Sequence, residues 1–316
     1  MSLNRETRDW LSTQFGKSVK FNEPMARHTY LRVGGPAEAF ITPDSRKDLV
    51  RLIRRCNDSE IPVFVIGDGT NLLVKDGGVA GMVIVLTRCL KKIYRSAQSG
   101  RQVVVTAMAG AKMQALCRFA IKSGLEGLNF AVGIPGTVGG GIMMNAGTAA
   151  GAIEGVLESV KIMACDGRMQ RIDRDSLDFS YRKLNWDGFV DDIGAAHPVV
   201  IDGRFRLNPS DPQKLEKEAR ELLQNRKSSQ PLKAASAGCF FKNPATGKSA
   251  GEMIDRAGLK GCKIGGAQVS AQHANFIVNT GGASAADILA LMELAQEKVA
   301  KLFDVVLEPE VKIIGH

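Results

Sequence analysis

The most unusual local string in this chain of 316 residues places a thiol between a glycine and two aromatics, in Ala237-Gly-Cys-Phe-Phe-Lys-Asn-Pro244. From its surroundings alone, Cys239 is either a small buried apolar residue or a positioned proton donor or nucleophile. Position does not decide between them. A second string, Asp178-Phe-Ser-Tyr-Arg-Lys, holds Tyr181 and Arg182. An arginine there is by default a surface cation or the partner of a nearby aspartate. Glu308 and Glu310 flank Pro309 near the C-terminus, and strand alternation would place both on one solvent-exposed face. The six cysteines (Cys56, Cys89, Cys117, Cys165, Cys239, Cys262) include no CxxC or CxxH pair, so no metal centre is expected. His28, His197, His273 and His316 show no pairing pattern and are read as structural.

Glycine supplies 34 residues, and seven of them fall between Gly133 and Gly151, in and just after Gly133-Ile-Pro-Gly-Thr-Val-Gly-Gly-Gly-Ile-Met-Met-Asn-Ala-Gly. A second cluster holds Gly67, Gly69, Gly77 and Gly78. Such segments let backbone N–H groups approach an anion closely. Gly67-Asp-Gly-Thr-Asn-Leu departs from the dinucleotide pattern G-x-G-x-x-G at Leu72, which disfavours a nicotinamide-type Rossmann fold. Thr70 and Asn71 add side-chain donors and favour an anion-binding turn. Gly247-Lys-Ser249 fails as a phosphate loop, because position 242 is Lys where glycine is required.

Lys+Arg 42 against Asp+Glu 33 leaves a net charge of +9, which suits an anionic partner. The cations are scattered and aromatics are only 6%, so a polyanionic metabolite is expected and nucleic acid is not. No run approaches the roughly 18 apolar residues of a membrane helix. The N-terminus lacks the layout of a signal peptide, so the protein is expected to be cytoplasmic and off the membrane.

The elements that must position these residues alternate. Ser45 and Asp48 open a helix with Leu49, Leu52, Ile53 and Cys56 inward. A short buried strand, Pro62 to Ile66, feeds the Gly67 loop. Strands are expected at 82–87, 103–107, 156–163, 169–172, 199–207 and 275–278, and a helix at about 112–122. Asn208 to Pro212 reads as a linker. The helix Lys214 to Arg226 comes next, with Leu215, Leu222 and Leu223 inward. Ser284 and Asp287 cap a helix carrying Ile288, Leu291, Ala295, Val299 and Leu302, and a strand from Val305 to Ile314 ends the chain. The fold class is α+β, with a cofactor-binding region over 1–207 (two α+β subdomains) and a smaller domain over 213–316.

Six motifs in order carry a resemblance. They are the Gly34-Gly35 segment in Thr29-Tyr-Leu-Arg-Val-Gly-Gly-Pro36, Gly67–Asn71, Gly133–Gly147, Tyr181-Arg182, Ala237–Pro244 and Gly265-Gly-Ala-Gln-Val-Ser270, followed by Leu307-Glu-Pro-Glu-Val-Lys-Ile-Ile-Gly315. In this series the chain resembles the UDP-N-acetylenolpyruvoylglucosamine reductase family of peptidoglycan precursor synthesis, over about nine-tenths of its length. The resemblance implies a FAD-binding fold of the vanillyl-alcohol-oxidase/PCMH type, non-covalent FAD, NADPH as co-substrate and a UDP-sugar substrate; a monomer is expected. It assigns Arg182, Cys239 and Glu310 to catalysis. Gly67, Gly69, Thr70, Asn71, Gly133, Gly136, Thr137, Gly139 and Gly140 fall to the cofactor, and Tyr181, Lys242, Asn243 and Gln268 to the substrate. On charge alone, Arg226 and Lys227 could meet the diphosphate or the NADPH phosphates.

Arg182 and Glu310 would polarise the substrate carboxylate and steady an enolate. To donate a hydrogen bond, Glu310 would have to be held protonated in a desolvated setting. The family's usual proton donor is a serine at the position of Cys239. A thiol, with a pKa of about 8.5, is the stronger acid and can still deliver a proton at neutral pH. Two rivals stay open: another FAD oxidoreductase of the same superfold, and a non-catalytic reductase-like nucleotide-binding protein.

Overall fold

The computed structural model describes residues 3–185, 198–245 and 247–316; His197 lies outside them. Two compact units interleave along the chain. The first comprises Met1–Lys20, Phe40–Gly67 and Gly81–Gln224, and the second Phe21–Ala39, Asp68–Ala80 and Asn225–His316. A single cut between 207 and 213 does not produce this pattern, since two early segments group with the C-terminal one.

In the first unit, local signals place the helices. Asn4 caps Arg5–Phe15 by accepting from the Thr7 amide at 2.9 Å. Ser45 caps Arg46–Asp58, which buries Leu49, Leu52, Ile53 and Cys56 as the spacing predicts. Val63–Ile66 pairs in parallel with the strand Val79–Val85, from Val63 opposite Met82 to Ile66 opposite Val85. Expected as buried, it is the edge strand of a four-stranded sheet, and Val65 is 37% exposed.

A larger antiparallel sheet orders the strands Met169–Asp173, Leu157–Met163, Val199–Pro209, Gln102–Met108 and Ile93–Ser99. Asn208 and Pro209, expected in a linker, continue a strand by pairing with Glu126 and Leu125. Proline is tolerated there because it stands at the strand's end. In the helix Pro212–Ser229, Leu215 and Ala219 are buried, while Leu222 and Leu223 are only half-buried.

The second unit is built on a core that includes Leu31, Leu73, Phe240, Phe241, Met253, Ile288, Leu291 and Val299. The helix Ala285–Phe303 has the capping box expected from Ser284 and Asp287. A second carboxylate, Asp76, accepts from the amides of Ala285 and Ala286, each at 2.9 Å. Leu302, expected inward, is 57% exposed, because the last turn runs past the core and Phe303 and Val305 pack there instead. The expected strand from Val305 shortens to Lys312–Ile314, parallel to Leu72–Val74. Pro309 makes only an isolated bridge to Phe241, so the alternation argument for Glu308 and Glu310 does not apply. Lys263–Ile264, Ala267–Val269 and Ile277–Asn279 form a three-stranded sheet. Among the described residues no helix is long and apolar enough to cross a membrane, and no group of His, Cys, Asp and Glu could hold a metal ion.

Candidate functional site

Gly67 comes directly after Val63–Ile66, and a Cβ built there would overlap the hydroxyl of Thr137. Gly67, the first glycine of its cluster, therefore meets the Gly133–Gly151 segment at Thr137 within the first unit. Gly133 and Gly136 take φ of 83° and 110°, angles open to glycine and rare for other residues. Thr137 then caps a short helix, Val138–Met143, with its hydroxyl accepting from the Gly140 amide at 3.4 Å. Gly139 packs on Ala109 and donates to its carbonyl at 2.8 Å, whereas Gly140 is exposed, with only Thr137 Oγ1 near its missing side chain. Gly139 is thus required by packing, and Gly140 leaves open backbone. Gly67→Ala is expected to cost about 1–3 kcal/mol through overpacking against Thr137, measured as a lower urea midpoint.

Gly69, Thr70 and Asn71 belong to the second unit. Gly69 packs against the His28 carbonyl and accepts from the Tyr30 amide at 3.0 Å. Asn71 donates from Nδ2 to the Glu310 carbonyl at 3.1 Å, and its own carbonyl accepts from the Lys312 amide at 3.1 Å. A residue expected at the cofactor therefore also fixes the backbone of an expected catalytic one.

Cys239 is held through the two aromatics next to it in the chain. Phe240 and Phe241 are fully buried anchors. The buried side chain of Asn275 clamps Phe241, accepting from its amide at 2.9 Å and donating to its carbonyl at 2.8 Å. The Phe240 amide donates to the Asn275 carbonyl at 2.9 Å, and the Phe240 carbonyl accepts from the Glu310 amide at 2.7 Å. Backbone pairing thus brings the Cys239 and Glu310 segments together. Gly238 turns the chain ahead of the thiol with φ 82°, and Cys239 itself is half-buried.

Three other thiols are desolvated. Burial pushes Cys56 and Cys117 up to about 12 and Cys89 up to about 11, since desolvation disfavours the thiolate. Alkylation of the native protein at neutral pH is expected to leave Cys56 and Cys117 unmodified, read by peptide mass mapping. Labelling of either before unfolding would contradict their placement.

Arg226, in the last turn of its helix, stands out only in the folded chain. Its Nη2 donates to Gln230 Oε1 at 3.2 Å, but Nε and Nη1 are buried without a partner among the described residues. Desolvation lowers its pKa, and the neighbouring Cys239 opposes that shift. Buried guanidinium donors left unpaired are costly, and an acceptor on a bound ligand would relieve them. Only the burial distinguishes Arg226 from other cations, and burial of a helix end is not written in composition.

Arg182 lies in the first unit, at the two-residue turn joining Asp178–Ser180 to Lys183–Asn185. Its φ of 61° is uncommon for a non-glycine residue, and such outliers concentrate at functional sites. The guanidinium donates to the Gly147 carbonyl at 3.0 Å and lies 4.8 Å from the ring centre of Tyr181, which is half exposed.

Lys242, Asn243 and Gln268, expected at the substrate, are each held by their own chain. Lys242 Nζ pairs with Glu308 Oε2 at 2.9 Å. Asn243 Oδ1 accepts from the Ala250 amide at 3.0 Å, and Gln268 Nε2 donates to the Gly261 carbonyl at 3.1 Å. His28 pairs with the buried Glu23 at 2.9 Å. Desolvation lowers the pKa of His273, which packs edge-on against Phe276.

Comparison with known proteins covers both halves. A FAD binding domain model matches residues 37–173, and a model described as UDP-N-acetylenolpyruvoylglucosamine reductase, C-terminal domain, matches 230–314. The curated UDP-N-acetylenolpyruvoylglucosamine reductase of Desulfosudis oleivorans is 48% identical over 99% of this chain and 100% of its own length. That of Heliobacterium modesticaldum is 42% identical over 93% of this chain and 90% of its own length. The crystal structure of UDP-N-acetylenolpyruvylglucosamine reductase from Thermus caldophilus superposes with a TM-score of 0.75 at 35% identity, covering 92% of this chain and 97% of that one.

Proposed function

The chain belongs to the UDP-N-acetylenolpyruvoylglucosamine reductase family, and from that premise we propose that it reduces UDP-N-acetylglucosamine enolpyruvate to UDP-N-acetylmuramate with NADPH and non-covalent FAD. It is a flavin oxidoreductase of mixed α and β structure that acts on a UDP-sugar. The reaction would serve peptidoglycan precursor synthesis in the cytoplasm, and through it cell-wall biogenesis, cell shape and division.

The chain's own residues fit FAD. Gly67, Gly133, Gly136, Thr137, Gly139 and Gly140 all fall inside the matched FAD binding domain, and Gly140 offers exposed backbone free of any side chain. Gly69, Thr70 and Asn71 complete the set proposed to surround the pyrophosphate. Bound FAD supplies hydride transfer, from NADPH to the vinyl ether of the substrate.

Hydride arriving at the enolpyruvyl methylene leaves negative charge on the carboxylate side as an enolate. Arg182 is the cation proposed to pair with that carboxylate, and Glu310 the acid that steadies the enolate. Cys239 gives its proton to the α-carbon and so completes the addition. Tyr181, Lys242, Asn243 and Gln268 are proposed contacts for the UDP-sugar, and Arg226 meets an acceptor with its two unpaired donors. The monomer is the proposed active unit.

The observation that carries this reading is the backbone pairing that sets the Cys239 segment against Glu310, beside a buried guanidinium with open donors. The test is optical. Purified protein should show a flavin spectrum that NADPH bleaches and UDP-N-acetylglucosamine enolpyruvate restores under anaerobic conditions. Protein that binds flavin and bleaches but is not recoloured by that substrate would mark another flavin enzyme or a non-catalytic relative.

A further inference from the structure

Arg182 is attached to one short segment at two points. Its guanidinium donates to the carbonyl of Gly147 at 3.0 Å, while two residues before it the carbonyl of Ser180 accepts from Asn145 Nδ2 at 3.2 Å. Asn145 is 3% exposed and sits at φ 40°, a left-handed conformation that asparagine tolerates better than most residues. Its amide is used at both ends. Nδ2 also donates to Glu154 Oε1 at 2.9 Å, and Oδ1 accepts from the Glu154 amide at 3.2 Å. Glu154 in turn is held by Arg174, whose Nη2 donates to Oε2 at 3.0 Å. Arg174 also donates to the Leu177 carbonyl at 3.1 Å and lies 4.9 Å from the ring centre of Phe179, on the strand leading to Arg182.

These bonds form a closed circuit from Asn145 through Glu154 and Arg174 to the hairpin that carries Arg182, and back from Ser180 to Asn145. A two-stranded hairpin of three residues a side has little stability of its own, so its tip takes its orientation from such attachments. The strained angle at Arg182 also persists only while its surroundings over-determine it.

We propose that Asn145 is the positioning residue of the Arg182 guanidinium, acting through the Ser180 carbonyl and the Glu154–Arg174 pair rather than by touching substrate. The inference rests on the role proposed for Arg182 above, and it concerns the substrate half-reaction alone. Asn145→Asp keeps an acceptor for the Glu154 amide but turns an oxygen toward the Ser180 carbonyl and the Glu154 carboxylate. Asn145→Gly keeps the backbone angle and removes the side chain.

Stopped-flow traces would compare both variants with wild type, alone and in an Arg182→Met background. Reduction of the flavin by NADPH should stay within about twofold of wild type, while reoxidation by UDP-N-acetylglucosamine enolpyruvate slows roughly ten- to a hundredfold, the range expected for a misplaced group. In the Arg182→Met background the same change should alter reoxidation by less than about twofold, because the two residues act as one unit. Equal slowing of both half-reactions, or effects that multiply across the two sites, would overturn the proposal. Failure of both Asn145 variants to fold would also overturn it, by making the residue structural. If the wild-type trace itself shows no recolouring by substrate, the reading of the reaction fails first, and that is visible before any variant is compared.

Discussion

Cys239→Ala is expected to split the catalytic cycle. Flavin reduction by NADPH should run near the wild-type rate, while substrate-driven reoxidation falls roughly 10²- to 10⁴-fold, the usual worth of a positioned general acid. The alanine variant keeps the small side chain and the clamp behind it, since Phe240, Phe241 and Asn275 hold the backbone without using the sulfur. Cys239→Ser should retain substantial activity, because a hydroxyl occupies the same position and can also donate a proton. The thiol is the stronger acid of the two, so the serine variant tests geometry against acidity. Normal reoxidation in Cys239→Ala would remove the thiol from the mechanism.

Asn275→Ala is expected to produce the largest loss of stability of any single polar substitution argued from this structure. Its carboxamide satisfies both the amide and the carbonyl of Phe241, a residue 1% exposed, and water cannot replace it there. Leaving two buried backbone groups unpaired should cost about 2–4 kcal/mol, seen as a lower urea midpoint. Asn275→Asp keeps an acceptor for the amide and loses the donor, so it should fall between wild type and alanine. Because Phe240 also receives Glu310, loss of the clamp should lower activity in whatever fraction stays folded. An alanine variant as stable as wild type would show that the pairing with Pro309 and Glu310 holds the segment unaided.

How far the sequence reached depends on the range of each signal. The helix Arg46–Asp58 and the capping box of Ala285–Phe303 were legible because cap and apolar stripe lie within a few residues of one another. The helix Val138–Met143 was not legible. Three successive glycines oppose a helix, and it forms because Thr137 caps it and Val138 and Gly139 donate to the carbonyls of Ala111 and Ala109. Asn208 and Pro209 read as a linker by composition, but the partner residues Leu125 and Glu126 draw them into a strand. Asp76 gave no sign that it would cap a helix beginning at Ala285.

The candidate site divides the same way. The sequence by itself determined the family, the two glycine clusters and the presence of a thiol at position 239, because these are matters of residue type and order. Tertiary structure alone decided that Gly67 meets Thr137, that Asn71 holds Glu310, that Arg226 is buried with open donors and that Arg182 stands at a left-handed turn tied to Asn145. The physical reason is distance along the chain. A side chain's chemistry is fixed where it is coded, but its partners, its desolvation and its backbone strain are set by residues tens to hundreds of positions away, and only folding brings them into contact.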